Sequence, residues 1–147
     1  NEGKASFYQV VGNLRNEART QRALPFVMTI DGQIAGQITV ANINYGSTRS
    51  AYIGYWIGEV FAGKGYTPLA VAMAIDHCFQ VLKLHRIEIA IRPENTKSLR
   101  VVEKLGLRQE GMRPKFLHIN GDWRDHLIFA INDDELSESL VSKLKKS

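Results

Sequence analysis

Residues 52–69 read YIGYWIGEVFAGKGYTPL. An aromatic strand, expected over Arg49–Gly58, runs into a loop at Glu59–Gly65 and then a helix from about Thr67 to Leu82. A strand that feeds a helix through Gly63-Lys64-Gly65 aims backbone N–H groups and the positive end of the helix at one spot. Glycine lets the main chain approach a ligand closely and take up positive φ. Pyrophosphate suits such a spot, and Lys64 adds charge. The spacing matches neither GxxxxGK[ST] nor GxGxxG, and a Gly-x-Gly before a helix is most often an ordinary turn.

Outward from this stretch the chain alternates. On the N-terminal side, Phe26–Ile30 and Gln33–Val40 flank Asp31-Gly32, a two-residue hairpin turn, and the second strand is expected to reach about Tyr45. Before them, Phe7, Val10, Val11, Leu14 and Ala18 recur at three and four, which predicts an amphipathic helix over Ala5–Arg22. On the C-terminal side, Arg86–Ile91 alternates, with Ile87, Ile89 and Ile91 on one face and Arg86 and Glu88 on the other. A short helix is expected from Thr96 to Lys104, closed by Gly106. A hairpin of Phe116–Ile119 and Trp123–Ile131 turns at Asn120-Gly121. The tail 133–147 opens with acids and closes with lysines, the order that suits a helix dipole. The fold class expected is α/β (α+β): a mixed, mostly antiparallel sheet with a parallel crossover pair and helices on both faces.

Composition narrows the function classes. The chain has 147 residues, 44% hydrophobic and 23% charged, as in an ordinary globule. A single domain over 1–147 is expected, with its core at 26–131 and a helical tail at 133–147. Its one cysteine, Cys78, excludes a disulfide framework and a paired-cysteine zinc site. His77, His85 and His118 show no ligand spacing with each other or with Cys78, so no metal is expected. No apolar run is long enough for a bilayer, and no secretory leader is read, so the expected setting is cytoplasmic, without a membrane partner. The net charge of +4 favours an acidic ligand without requiring nucleic acid.

A second informative segment is 92–111, RPENTKSLRVVEKLGLRQEG. Asn95 and Ser98 stand at the mouth of a helix that follows a strand. Asn95 there serves as an N-cap, or contacts a ligand as well. Three runs together, GYWIGEVFAGKGY (54–66), HRIEIAIRPENTKSLRVVEKLGLRQEGMR (85–113) and NGDWRDHLIFAI (120–131), resemble the GNAT superfamily of acyl-CoA N-acyltransferases, nearest its RimJ/RimL-type ribosomal-protein alanine N-acetyltransferases. The resemblance implies that the strands at 52–58 and 86–91 are parallel and splay apart, with acetyl-CoA in the gap. It implies that Tyr55, Trp56 and Ile57 pair with the pantetheine arm and that the amides of Ala62, Gly63, Lys64, Gly65 and Tyr66 hold the pyrophosphate. Asn95 would touch the cofactor and Ser98 would lie near its sulfur. The basic run Arg92, Lys97, Arg100, Lys104, Arg108, Arg113 and Lys115 is interleaved with acids and reads mostly as a solvated helix face, from which Lys97 or Arg100 could reach the ribose phosphate of CoA.

The chain departs from that pattern at named positions. Val60 stands where the loop usually opens with Gln or Arg, Val102 where many members carry an acidic tyrosine, and Leu117 where RimL-like enzymes carry a glutamate. The superfamily's first strand and helix have no counterpart read here, so they are expected to be missing from a chain that opens at Asn1. Ser98 is then the candidate donor to the leaving thiolate. Glu88, Glu59 and Asp125 are candidate bases, with a structural ion pair, a loop residue and a cross-strand pair as their plain alternatives. Tyr45, Trp123 and Asp125 are candidates to line the acceptor pocket. The implied reaction is acetyl transfer from acetyl-CoA to an amine, either a protein or peptide N-terminus such as a ribosomal protein's or a small amine. An RNA- or ribosome-binding module and a non-catalytic CoA-binding relative stand as rivals, and a homodimer fits if an apolar face is bare.

Overall fold

A computed structural model describes residues 5–9, as backbone, and 23–146. Seven strands form one sheet in the order β1-β2-β3-β4-β5-β7-β6. They are β1 Ala5–Gln9, β2 Leu24–Ile30, β3 Gln33–Asn44, β4 Ser50–Ile57, β5 Arg86–Ile91, β6 Arg108–Ile119 and β7 Asp122–Asn132. Helix α1 (Tyr66–Gln80) crosses from β4 to β5, α2 (Thr96–Leu105) follows β5, and α3 (Leu140–Lys146) ends the described chain. Every neighbouring pair is antiparallel except β4 and β5. No described helix is long and apolar enough to cross a membrane.

The hairpin turns form where the sequence puts them. Asp31 and Gly32 take φ of 52° and 79°, both left-handed, as a two-residue turn that matches strand twist requires. Asn120-Gly121 does the same between β6 and β7. Alternation then sorts the side chains. Ile38 and Val40 of β3, Ile53 of β4, Ile87 and Ile89 of β5, and Ile131 of β7 are buried in one core. Val71, Ile75 and Cys78 of α1 and Val101, Val102 and Leu105 of α2 close over them. The three helices touch one another and share a layer.

Four expectations change. Ala5–Gln9, expected to open a helix, is instead strand β1, with Ala5 opposite Ile30 and Gln9 opposite Phe26. A first strand is therefore present, and the rest of the expected helix lies outside the described residues. Helix α1 stops at Gln80 rather than Leu82, because Lys83 takes a left-handed φ of 59°. Strand β6 begins at Arg108, eight residues before the expected Phe116. It is an edge strand with little burial and two register breaks, the second of them spanning Pro114, so it carries no alternation to read.

The tail is the fourth. Residues 133–147 do not form one helix: Asp133–Glu135 is a short 3-10 turn, and α3 starts only at Leu140. The acids of the tail do not cap that helix. Asp76, on α1 and only 9% exposed, accepts the N–H groups of Leu140 at 2.7 Å and Val141 at 3.0 Å. One carboxylate thus satisfies two of the amides a helix start leaves unpaired and docks α3 on α1. Asp76→Ala is expected to lower stability by about 2 kcal/mol in urea denaturation, the range for bonds to a charged acceptor. A loss below about 0.5 kcal/mol would show that α3 docks through its apolar residues alone.

Candidate active site

Strands β4 and β5 pair only at Ser50↔Arg86, Ala51↔Ile87 and Tyr52↔Glu88. Beyond Tyr52, β4 continues to Ile57 and β5 to Ile91 without a shared register. The two strands part, and a cleft of about 590 Å³ opens between β4, the start of α1 and the start of α2. Tyr55, Trp56 and Ile57 of β4, Ala62, Gly63 and Gly65 of the loop, and Asn95 and Ser98 at the mouth of α2 all line it. Lys64 and Tyr66, expected with them, are not among its lining residues. Lys97 and Arg100, expected within reach of the cofactor, also line it, and Thr67, Pro68, Val101 and Lys104 line it without having been predicted as site residues.

The loop is shaped by its glycines. Gly65 caps α1 with φ of 84°, and Gly63 takes 76°. A Cβ added at either would meet nothing within 4 Å, so the requirement is conformational and not spatial. No side chain caps α1, and its first turn holds no acid. Its leading amides therefore face the cleft with the helix's positive end behind them, a natural seat for an anion.

At the opposite wall, the Asn95 side chain accepts the Ser98 N–H at 3.2 Å, so Asn95 is an N-cap whatever else it touches. The Tyr55 hydroxyl donates to the Ser98 carbonyl at 3.4 Å, tying β4 to α2 across the cleft. Burial pushes the Tyr55 phenol upward, partly offset by its contact with Ser98, so it stays a donor.

The other candidates lie in three places. The Glu88 carboxylate sits between two guanidinium groups, Arg86 at 3.0 Å and Arg113 at 3.4 Å. Arg113 also donates to the Tyr52 hydroxyl at 3.0 Å. Arg86 continues the chain to Glu110, and Arg108 carries it on to Glu135. Glu59 lines the cleft. Trp123 and Asp125 line a second cavity of about 230 Å³ with Pro93, Glu94 and Arg124, and Asp125 accepts the Lys115 N–H at 2.9 Å. Tyr45 is exposed and lines neither cavity. Val102 is a core residue at 1% exposure, whereas Val60 and Leu117 are exposed.

The remaining titratable groups have structural settings. Cys78 is fully buried, which pushes its thiol up to about 12. His77 lies edge-on to Phe26 at 5.5 Å, and burial lowers it. His118 lies edge-on to Trp123. His126 is buried, its Nδ1 3.0 Å from the Arg124 carbonyl. His85 pairs with Asp133 at 2.7 Å, and with Asp134 they form an exposed cluster that sequence spacing did not reveal, because the three meet across β5 and β7.

The sequence profile of the acetyltransferase (GNAT) domain family matches residues 3–108. The chain is 41% identical over 107 residues to a probable N-acetyltransferase, YjcK, of Bacillus subtilis, covering 71% of this chain and 59% of that protein. It is 34% identical over 99 residues to the ribosomal protein uS5-alanine N-acetyltransferase of Escherichia coli, covering 67% and 51%. The structure of Mycobacterium smegmatis RimJ in complex with CoA-disulfide superposes with a TM-score of 0.88 at 47% identity, covering 90% of this chain and 64% of that one. The chain thus spans little more than half the length of the two curated relatives.

Gly65→Ala is expected to cost about 1–2 kcal/mol in urea denaturation, the strain of an L side chain at left-handed φ. An unchanged midpoint would show that the loop relaxes. The second expectation concerns acid. Arg86, then Arg108, hold the Glu110 carboxyl at about 2 against an ordinary 4.5. A lowered folded value adds stability that is fully present above pH 4.5 and lost as pH falls toward 2. Thermal melts of Glu110→Gln should therefore decline less over that interval than those of the parent chain. Parallel declines would show that Glu110 does not carry the acid sensitivity.

Proposed function

Because the chain belongs to the acetyltransferase (GNAT) family, we propose that it binds acetyl-CoA in the β4–β5 cleft and transfers the acetyl group to a protein N-terminal α-amino group. The observation that carries this reading is the early end of the β4–β5 pairing above a helix start with no side-chain cap. The β4 edge at Tyr55, Trp56 and Ile57 hydrogen-bonds the pantetheine amides, as a strand accepts an added strand. The amides of Ala62, Gly63, Lys64, Gly65 and Tyr66 receive the pyrophosphate. Asn95 keeps the mouth of α2 in shape, and Ser98 donates toward the sulfur.

Bound acetyl-CoA supplies a thioester whose C–S bond gives way to the new C–N bond, the amine's proton ending on the sulfur. A free β4 N–H donates to the carbonyl oxygen as its negative charge grows. An α-amine titrates near 8, so a mild acceptor or bulk water removes its proton. Of the three carboxylates considered, Glu59 lines the cleft, whereas Glu88 is held by arginines and Asp125 by the Lys115 amide. In this reading Glu88 is a positioning residue: with Arg113 and Tyr52 it braces the strands where they part. Trp123 and Asp125 receive the acceptor in the polar cavity beside Glu94. Tyr45, which lines neither cavity, is left without a part.

Acetyl-CoA at a hundred times its Kd should stabilise the chain by about 2.7 kcal/mol, raising Tm by roughly 5–10 °C, while ATP and a short RNA leave it unchanged. With a peptide bearing a free N-terminus, Ser98→Ala should cut kcat about tenfold or more and leave the acetyl-CoA KM within about threefold. A shift with RNA and none with acetyl-CoA would overturn the transferase reading in favour of a binding module. Cofactor binding with no turnover on peptides or polyamines would leave a non-catalytic relative.

A further inference from the structure

We infer that Gly54 of β4 and Ala90 of β5 bound a passage through the sheet, by which the acceptor's amine reaches the acetyl group from the face turned away from α1 and α2. The passage admits the slender end of an extended peptide chain. The inference rests on the transferase reading of the cleft and names two residues that set its acceptor specificity.

Gly54 is the anomaly that points there. It lies in the interior of β4, where a glycine gives up side-chain contacts and weakens the strand. Every other described glycine either takes a positive φ or has neighbours that an added Cβ would meet within 4 Å. Gly54 has neither. It stands in regular register opposite Thr39 of β3, so no bulge calls for it. The remaining cause of a glycine inside a strand is the close approach of another molecule to the backbone.

Its place in the sheet suits that approach. Alternation sets Tyr52, Gly54 and Trp56 on one face, and Ile53, Tyr55 and Ile57 on the other, against the core beneath the helices. Carried on past Tyr52↔Glu88, the register would set Ala90 beside Gly54 across the gap. These are the smallest residues of their two strands. The lips of the gap on the far face therefore hold a single side-chain carbon between them, whereas Ile53, Tyr55, Ile89 and Ile91 fill the helix face. Tyr52, tied through its hydroxyl to Arg113, closes the passage at its paired end. Trp56, 55% exposed, flanks it at the other. Gly54 directly precedes the Tyr55, Trp56 and Ile57 stretch that lines the cleft. An amine coming through from the far face thus meets a thioester laid along that edge.

The test is acetyl transfer to peptides beginning with glycine or with valine, by the unaltered chain and by Gly54→Ala, Gly54→Val and Ala90→Val, with acetyl-CoA affinity and urea midpoints measured alongside. Strand backbone with open space around it accepts either side chain at Gly54, so those two midpoints should hold or rise. Gly54→Val should lower kcat/KM for peptide at least about tenfold, and Gly54→Ala less, while the acetyl-CoA Kd stays within about threefold. The loss should be greater for the valine peptide than for the glycine peptide. Ala90→Val should act in the same direction from the opposite lip. A Gly54→Val chain that keeps kcat/KM within about twofold would overturn the passage and leave the transferase reading standing. Acetyl-CoA affinity falling as far as transfer would give the glycine to the cofactor and also overturn the passage. Transfer to no amine by the unaltered chain would overturn the passage together with the transferase reading.

Discussion

The parting of β4 from β5 is the constraint from which the site follows. Two parallel strands joined by a crossover helix would normally pair along their length. Here the pairing ends at Tyr52 and Glu88, and β4 runs on for five residues. Backbone N–H and C=O groups removed from a neighbouring strand need another partner. The divergence is braced on both sides of the sheet. On one face Ile53, Ile87 and Ile89 are locked into the core beneath α1. On the other, Tyr52, Arg113, Glu88 and Arg86 form a continuous run of hydrogen bonds at the level where the strands separate. Packing and polar contacts thus fix the angle of the gap, and the Tyr55 hydroxyl reaches across the cleft to the Ser98 carbonyl.

Much of this was legible in the chain because its signals are local. The turns Asp31-Gly32 and Asn120-Gly121, the alternation of Arg86–Ile91, and the glycine loop ahead of α1 each depend on a few adjacent residues. Misread regions depend on distant ones. Strand β1 shows Phe7 two residues from Ala5 and from Gln9, but the longer three-and-four spacing toward Ala18 absorbed it into a helix pattern. Strand β6 has almost no buried face, so its pairing with β7 is the only thing that makes it a strand. The start of α3 is set by Asp76, 64 residues earlier in the chain, which no reading of the tail could supply.

The candidate site divides the same way. The glycine loop and the Asn95–Ser98 turn could be recognised from their spacing and resemblance. The setting of Glu88 could not, since Arg113 reaches it from β6. The cations Lys97, Arg100 and Lys104 of α2 are exposed, yet the wall opposite makes their face one side of a cleft. Arginines with carboxylates, by contrast, knit the sheet and tail together.

The burial of Cys78 has a practical consequence at the bench. It is the chain's one sulfhydryl, packed between α1 and the sheet with its thiol pushed up to about 12. Aromatic disulfide reagents and maleimides react with thiolates, so the folded chain should give them almost no background signal. In an assay of the proposed transfer, CoA released into solution could then be followed continuously by its own sulfur. The same burial makes a reducing agent unnecessary against cross-linking between folded copies, and a rise in the chain's own reactivity becomes a direct gauge of unfolding.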